Sequence, residues 1–470
     1  MIDIFDKYRT AVEETDPIKY TGIVSRVRGM LIESNGPQAV VGEICQIILS
    51  RGNDPVYAEV VGLSGTTVQL MSFADVNGIE IGCTVIASGT VLSVPVGDML
   101  LGRVLDSLGR AADGLEEVVS PVHYPAIASP PDPMKRRPIE DRIVTGVRSL
   151  DSLLAVGRGQ RLGIFAGSGV GKSTLLGMIA RNTNADVNVI ALIGERGREV
   201  VDFIRNDLGP EGLKRSVVIV ATSDQSPLAR IRGAYVATAV AEYFRDQGKD
   251  VMLMFDSVTR FAKAQREIGL AIGEPPATRG YTPSVFETLP KLLERSGTSD
   301  KGSITGFYTV LVDGDDMDEP ISDTVRGILD GHVVLSRRLA QRYHYPAIDV
   351  LASVSRLANR VSGAVTKKAA GYIRRLMAVY DEAEDMIHVG AYQKGTNPAI
   401  DEAIAHHDKI ETFLCQDVTD PAPISDTLAR MGEVADMKIP EEEATAHGPG
   451  SHAKFIPASE SADRYEQNEW

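Results

Sequence analysis

The sequence predicts an α/β protein of several domains. A domain built on a mostly parallel sheet is preceded by a small β-barrel and followed by a helical domain. Three observations predict it. Short apolar segments punctuated by Gly, Asn, Asp and Pro fill residues 21–94, the rhythm of a small barrel. From Arg161, continuous apolar runs alternate with helical stretches, as in a parallel sheet covered on both faces. From Thr366, apolar residues recur at helical spacing, which marks amphipathic helices.

A length of 470 residues suits about three domains. Hydrophobic residues at 43% and charged residues at 24% exclude disorder over most of the chain. No run approaches the roughly 18 apolar residues of a membrane span, and the first residues, MIDIFDKYRTAVEETD, lack the pattern of a secretory signal. Cys45, Cys83 and Cys415 form neither a metal spacing nor a disulfide framework, which fits a reducing compartment. A net charge of −15 weighs against broad nucleic-acid binding.

Residues 1–20 form an N-terminal segment with Ile2, Phe5, Tyr8 and Val12 on one helical face; it reads equally as a packed turn or as a docking helix. Residues 21–94 form the barrel, with strands expected over Gly22–Val27, Ala39–Ile44, Val56–Gly62, Thr67–Ser72 and Thr84–Ser88. Residues 95–365 form the nucleotide-domain candidate with its leading connector, Pro95–Pro138, which is rich in Pro and Gly and holds a basic MKRRP stretch read as a linker. Its strands are expected over Arg161–Ala166, Val187–Ile193, Val217–Ala221, Val251–Phe255, Ile304–Leu311 and Ile348–Ala352. Residues 366–435 form the helical domain, with a stripe of Ile373, Leu376, Met377, Tyr380, Ala383 and Ile387 that Gly390 can end. Residues 436–470, with eight acidic and three basic side chains, read as a disordered acidic tail.

The strongest motif is AGSGVGKST, Ala166 to Thr174. It follows an expected strand and opens an expected helix, the context a phosphate-binding loop requires. Its glycines let the amides of Gly167, Ser168, Gly169, Val170, Gly171, Lys172, Ser173 and Thr174 converge on phosphate oxygens at a helix N-terminus. Lys172 would reach the β- and γ-phosphates of ATP, and Ser173 would hold Mg²⁺. Ala166 stands where the strict pattern has glycine, which is tolerable if its φ stays negative. VMLMFD, Val251 to Asp256, puts the Asp256 carboxylate at the end of a buried strand, where it can serve the same Mg²⁺. GERGRE, Gly194 to Glu199, follows another strand. Glu195 there reads either as a carboxylate that orients water or as an acid at a helix start; Glu199 suits the second role.

Together these motifs, FDSVTRFAKAQREIGLAIGEPPATRGYTPSVF (Phe255–Phe286) and PAIDVLASVS (Pro346–Ser355) resemble the catalytic subunits of rotary ATPases over about Thr21–Arg430. The segments PVGDMLLGRVLDSLGR, LLERSGTSDKGSITGFYTVLVDGDDMDEPISDTVRGILDGH and HVGAYQKGTNPAIDEAI are most similar to the type III export ATPases, and RGYTPSVF to their flagellar form. The resemblance implies a RecA-like nucleotide domain and Mg²⁺-dependent ATP hydrolysis that promotes unloading, unfolding and export of flagellar proteins. It implies a hexameric homo-oligomer with a stalk or regulatory protein, the export gate and chaperone–substrate complexes as partners, and no nucleic acid. It places the chain in the cytoplasm, peripheral to the membrane at the flagellar base. By the same resemblance Glu195 is the catalytic glutamate, Arg196 lies near the γ-phosphate, and Arg260 follows the Mg²⁺ aspartate. Tyr345 packs on adenine, and Arg356 is the arginine finger offered to a neighbouring subunit.

The alternatives are a virulence secretion ATPase, a proton-driven ATP synthase subunit and an RNA helicase like Rho. An acidic DELSEED-type loop, which a synthase subunit would carry, is absent from the helical domain. An RNA-stacking barrel would be aromatic and basic, and only Tyr57 and Phe73 are aromatic between Thr21 and Val94. A non-catalytic ring subunit would not need the full Lys172, Ser173 and Glu195 set.

Overall fold

The structure, a computed structural model, describes residues 19–50, 54–312 and 316–444. The N-terminal face of Ile2, Phe5, Tyr8 and Val12 lies outside the described residues. So does the acidic tail from residue 445 onward.

Six strands form the barrel: β1 (Thr21–Arg28), β2 (Leu31–Asn35), β3 (Glu43–Ile48), β4 (Val56–Ser64), β5 (Thr67–Ser72) and β6 (Thr84–Val91). They close in the order β1-β2-β5-β4-β3-β6. Period-two alternation sends Val24, Ile32, Ile47, Val60, Leu70 and Val85 inward. The strand expected over Ala39–Ile44 begins instead at Glu43. Gly42 sits at φ 90° and turns the chain, and the Glu43 carboxylate fixes the turn by accepting from the amides of Val40 (3.0 Å) and Gly89 (2.8 Å). Strand β2 was not expected, because LIESN carries only two apolar residues.

The central sheet holds β7 (Val104–Leu105), β8 (Arg161–Ala166), β9 (Val187–Ile193), β10 (Ser216–Ala221), β11 (Asp250–Asp256), β12 (Ser303–Leu311), β13 (Gly331–Leu335) and β14 (Ile348–Ser355). Their order is β14-β13-β8-β12-β11-β9-β10-β7. All neighbours are parallel except β14, which runs antiparallel to β13. Strand β9 shows why the runs are uninterrupted. Val189, Ala191 and Ile193 face one core, while Ile190 and Leu192 face another. The connector is not loose: β7 extends the sheet at β10. In the basic stretch read as a linker, Arg136 donates to the Ser296 carbonyl (2.8 Å) and Arg137 to that of Lys301 (2.6 Å).

The helices that matter here are α1 (Arg148–Leu153), α2 (Lys172–Asn182), α3 (Pro227–Asp246), α4 (Val258–Ala271), α5 (Ala364–His388), α6 (Pro398–Leu414) and α7 (Ile424–Val434). Helix α3 carries Arg232, which clasps the buried Glu59 carboxylate of β4, one contact being 2.6 Å, and so fastens the barrel to the sheet domain. On α1, Arg148 donates to the carbonyls of Phe413 (3.2 Å) and Cys415 (2.7 Å) and pairs with Asp420, which fastens the helical domain.

The tail expected to begin at Asp436 is corrected over its first nine residues. Met437 and Ile439 pack on the helical domain, and Glu443 completes the N-terminus of α5. That helix starts after Gly363, which has no side chain to cap it. The Glu443 carboxylate accepts instead from the amides of Val365 (3.0 Å) and Thr366 (2.8 Å) and from the Thr366 hydroxyl (2.7 Å). A Cβ at position 363 would collide with Glu443, so glycine and acid fit as a pair. Burial opposes the charge, but the hydrogen bonds from Thr366 and Val365 outweigh it and hold Glu443 below the usual carboxylate range.

Replacing Glu443 by Ala is expected to cost about 1 kcal/mol near neutral pH, the usual value of a helix cap. A depressed folded pKa stabilises above the unfolded value, so this cost should shrink as pH falls below about 4. Urea denaturation at pH 7 and pH 3 checks it, with the exposed Glu441→Ala as the control that changes little.

Candidate active site

The parallel register brings several strand ends to one edge. Leu192 pairs with Asp256, Phe255 with Tyr308 and Ala166 with Leu311. The loop after β8, the Glu195 turn after β9 and Asp256 at the end of β11 therefore meet there. Ala166 lies inside β8, paired in extended backbone, so the departure from glycine costs nothing. Gly169 at φ 77° and Gly171 at φ 89° take conformations that glycine allows, and α2 begins at Lys172.

Lys172 leaves this loop and turns in toward two carboxylates. Its ammonium contacts Asp256 directly and lies 3.4 Å from Glu195 Oε1. Asp256 Oδ1 also accepts from the Thr309 hydroxyl of β12 at 2.7 Å. Arg260, one turn into α4, places Nε 3.4 Å from Glu195 Oε1. Gly194 makes that approach possible: at φ 73°, its missing Cβ would fall 2.6 Å from Arg260 Cδ. The amide of Ser223 donates to the Glu195 carbonyl at 2.9 Å and fixes the turn.

Burial disfavours the Lys172 ammonium, yet Asp256 and Glu195 outweigh it and hold its pKa above the ordinary lysine value. Burial pushes the Glu195 carboxyl up, reinforced by Asp256 and opposed by Lys172 and Arg260. The donors offered at this edge by Asp256 and by Ser173, which is exposed on the first turn of α2, are all oxygen. That set suits Mg²⁺, a hard cation.

Tyr345 also belongs to this edge. A Cβ on Gly171 would lie 3.6 Å from its ring, so the tyrosine stands against the loop. The Gln416 amide donates to the Tyr345 carbonyl at 2.9 Å, which links this wall to the helical domain. Two expected residues stand apart from the cluster. Arg196 is largely exposed and pairs with Glu199 at 3.2 Å. Arg356 follows β14, and its amide donates to the Asp330 carbonyl at 3.1 Å. Asp330 in turn accepts from the Arg161 amide, at the start of β8 (3.0 Å). The length of β8, about 20 Å at 3.3 Å per residue, separates that edge from the phosphate loop. Arg356 is exposed there.

Sequence reasoning missed Thr309. The available signal was a hydroxyl within the otherwise apolar end of β12, TVL, where every residue as far as Val310 is buried.

Comparison with known proteins gives a consistent picture. The nucleotide-binding domain model of the ATP synthase alpha/beta family matches residues 146–355, and that family's beta-barrel model matches 24–89. The model of the T3SS EscN ATPase C-terminal domain matches 364–433. The Flagellum-specific ATP synthase of Treponema pallidum is 64% identical over 437 residues, covering 93% of this chain and 98% of that protein. Among solved structures, the assembled ATPase EscN of the enteropathogenic E. coli type III secretion system superposes with a TM-score of 0.83 at 43% identity, covering 88% of this chain and 100% of that one. EscN in complex with its central stalk EscO superposes with a TM-score of 0.82, with the same identity and coverage.

Thr309→Val removes the hydroxyl that orients Asp256 while keeping the shape of the side chain. ATPase activity should fall about 10–100-fold, as when a partner of a metal-binding carboxylate is lost. Thr309→Ser should retain most of it. Steady-state hydrolysis measured across a Mg²⁺ series checks both.

Proposed function

We propose a working cycle for this chain from the premise that it belongs to the ATP synthase alpha/beta family and, within it, to the flagellar and type III secretion ATPases. The chain is an ATP-hydrolysing enzyme of the flagellar type III protein-export apparatus. The observation that carries the cycle is the buried Lys172 ammonium held between Asp256 and Glu195.

The amides from Gly167 to Thr174 receive the triphosphate, and Lys172 exchanges its carboxylate partners for β- and γ-phosphate oxygens. That exchange frees Glu195, whose raised proton affinity suits it to accept a proton from the attacking water. Arg260 limits the swing of Glu195. When bound, Mg²⁺ neutralises charge on the phosphates, held by Ser173 and Asp256. Tyr345 stacks on the base.

Arg356 completes the site of a neighbouring copy. Its place at the far edge of its own sheet supports this role, because from there it cannot reach its own loop. The chain therefore acts as a homo-oligomer, and we assign it a hexameric ring with a central stalk partner, as EscN is found with EscO. The ring works at the cytoplasmic face of the membrane, against the export gate, and ATP turnover unloads and unfolds chaperone-bound export substrates. No helix of the described residues is long and apolar enough to cross a membrane, which suits peripheral attachment. Mg²⁺ dependence, ring size and the roles of Arg196, Arg260 and Tyr345 are part of this same reading.

Glu195→Gln should bind nucleotide normally but lose about 10²–10⁴-fold in turnover, the usual contribution of a positioned base. Near-normal turnover in a folded variant would remove Glu195 from its role. Arg356→Ala should lower turnover of the assembled enzyme while leaving nucleotide affinity of the dilute chain unchanged. Wild-type specific activity should rise with protein concentration as sites are completed.

A further inference from the structure

Tyr343 occupies a backbone position that its side chain does not suit. The five-residue helix Arg337–Gln341 ends with the His344 amide donating to the Leu339 carbonyl (3.1 Å) and the Tyr343 amide to that of Ala340 (3.1 Å). This pair of bonds defines a helix stop whose turning residue is left-handed and is ordinarily glycine. Tyr343 takes that place at φ 58°. A bulky aromatic there is an outlier and strains the backbone. Burial does not compensate it, since Tyr343 is 88% exposed. Its neighbour His344 is the residue that turns inward, bonding Glu411 at 2.8 Å.

The ring of Tyr343 does have one partner. It stands edge-on to Tyr345, with centroids 6.5 Å apart and planes at 84°. Tyr345 in turn lies against Gly171 of the phosphate loop. Two aromatic rings at right angles, one against the loop and one exposed, form a corner next to Gly171 of the phosphate loop. A planar ring that stacks on one wall meets the edge of the other, the two arrangements aromatic pairs prefer.

We propose that Tyr343 is a nucleotide-binding residue, its ring forming with that of Tyr345 the corner against which the base packs. The inference rests on the reading of Tyr345 given above and extends it. A strained, exposed aromatic is kept at a helix stop because the bound nucleotide covers it.

The test uses the full chain and separates strain from binding. Tyr343→Gly should raise the denaturation midpoint, because glycine suits the left-handed position. It should also weaken Mg²⁺·ADP binding about 3- to 10-fold, the size of one aromatic contact. Tyr343→Phe should bind as wild type, and Tyr343→Asn, which tolerates the left-handed backbone, should behave like Tyr343→Gly. Inorganic tripolyphosphate, which has no base, should bind all variants alike. If Tyr345→Ala weakens ADP while Tyr343→Gly does not, Tyr343 is only a helix stop and the proposal is wrong. If neither variant weakens ADP, the reading of Tyr345 fails and the proposal with it. An equal loss of tripolyphosphate binding would place the effect on the phosphates and also overturn the proposal.

Discussion

Lys172 retains only 12% of its side-chain exposure, and an ammonium withdrawn from water persists only where carboxylates face it. Asp256 and Glu195 answer that constraint, and each depends on a different strand. The pairing holds because β8, β12, β11 and β9 end together, in a register fixed by their parallel ladders. Thr309 then spends its hydroxyl on Asp256, and Gly194 gives up a side chain so that Arg260 can reach Glu195. Without nucleotide the three charges satisfy one another. In the proposed cycle triphosphate brings a competing anion, and the same lysine becomes its counter-charge. The exchange costs little reorganisation, because the partners already surround the place where the phosphate charge arrives.

Much of this was legible in the sequence, for physical reasons. A strand buried on both faces cannot afford polar residues, so Val187–Ile193 and Arg161–Ala166 are found with their observed bounds. The glycines and Lys172 of the loop are local chemistry and show in the order of residues. The unread parts depend on contacts between distant segments. Strand β2 is too polar to announce itself. Thr309 matters only once β12 lies beside β11. Glu443 looks like one acid among several in a polar tail until it is seen to cap a helix that starts nearly eighty residues earlier in the chain. Arg356 could be placed by resemblance, but its distance from its own phosphate loop follows only from the reversal of β14 against β13.

The two edges of the sheet thus divide the labour. One edge gathers Lys172, Glu195 and Asp256 beside Tyr345 and, in the proposed cycle, binds and polarises the triphosphate. The other presents Arg356 to solvent, where a second copy can meet it. The helical domain is joined to the first edge through the Gln416–Tyr345 bond and the His344–Glu411 pair. On the proposed reading of Arg356, a chain arranged this way is incomplete by itself and is finished by assembly.

That claim is tested most directly by mixing two inactive variants. Lys172→Ala chains lose their own phosphate site but keep Arg356; Arg356→Ala chains keep the phosphate site but offer no finger. If sites are shared, ATPase activity absent from either preparation returns when the two are assembled together. A mixture that forms the same oligomers as the wild type and still shows no recovered hydrolysis would contradict the account.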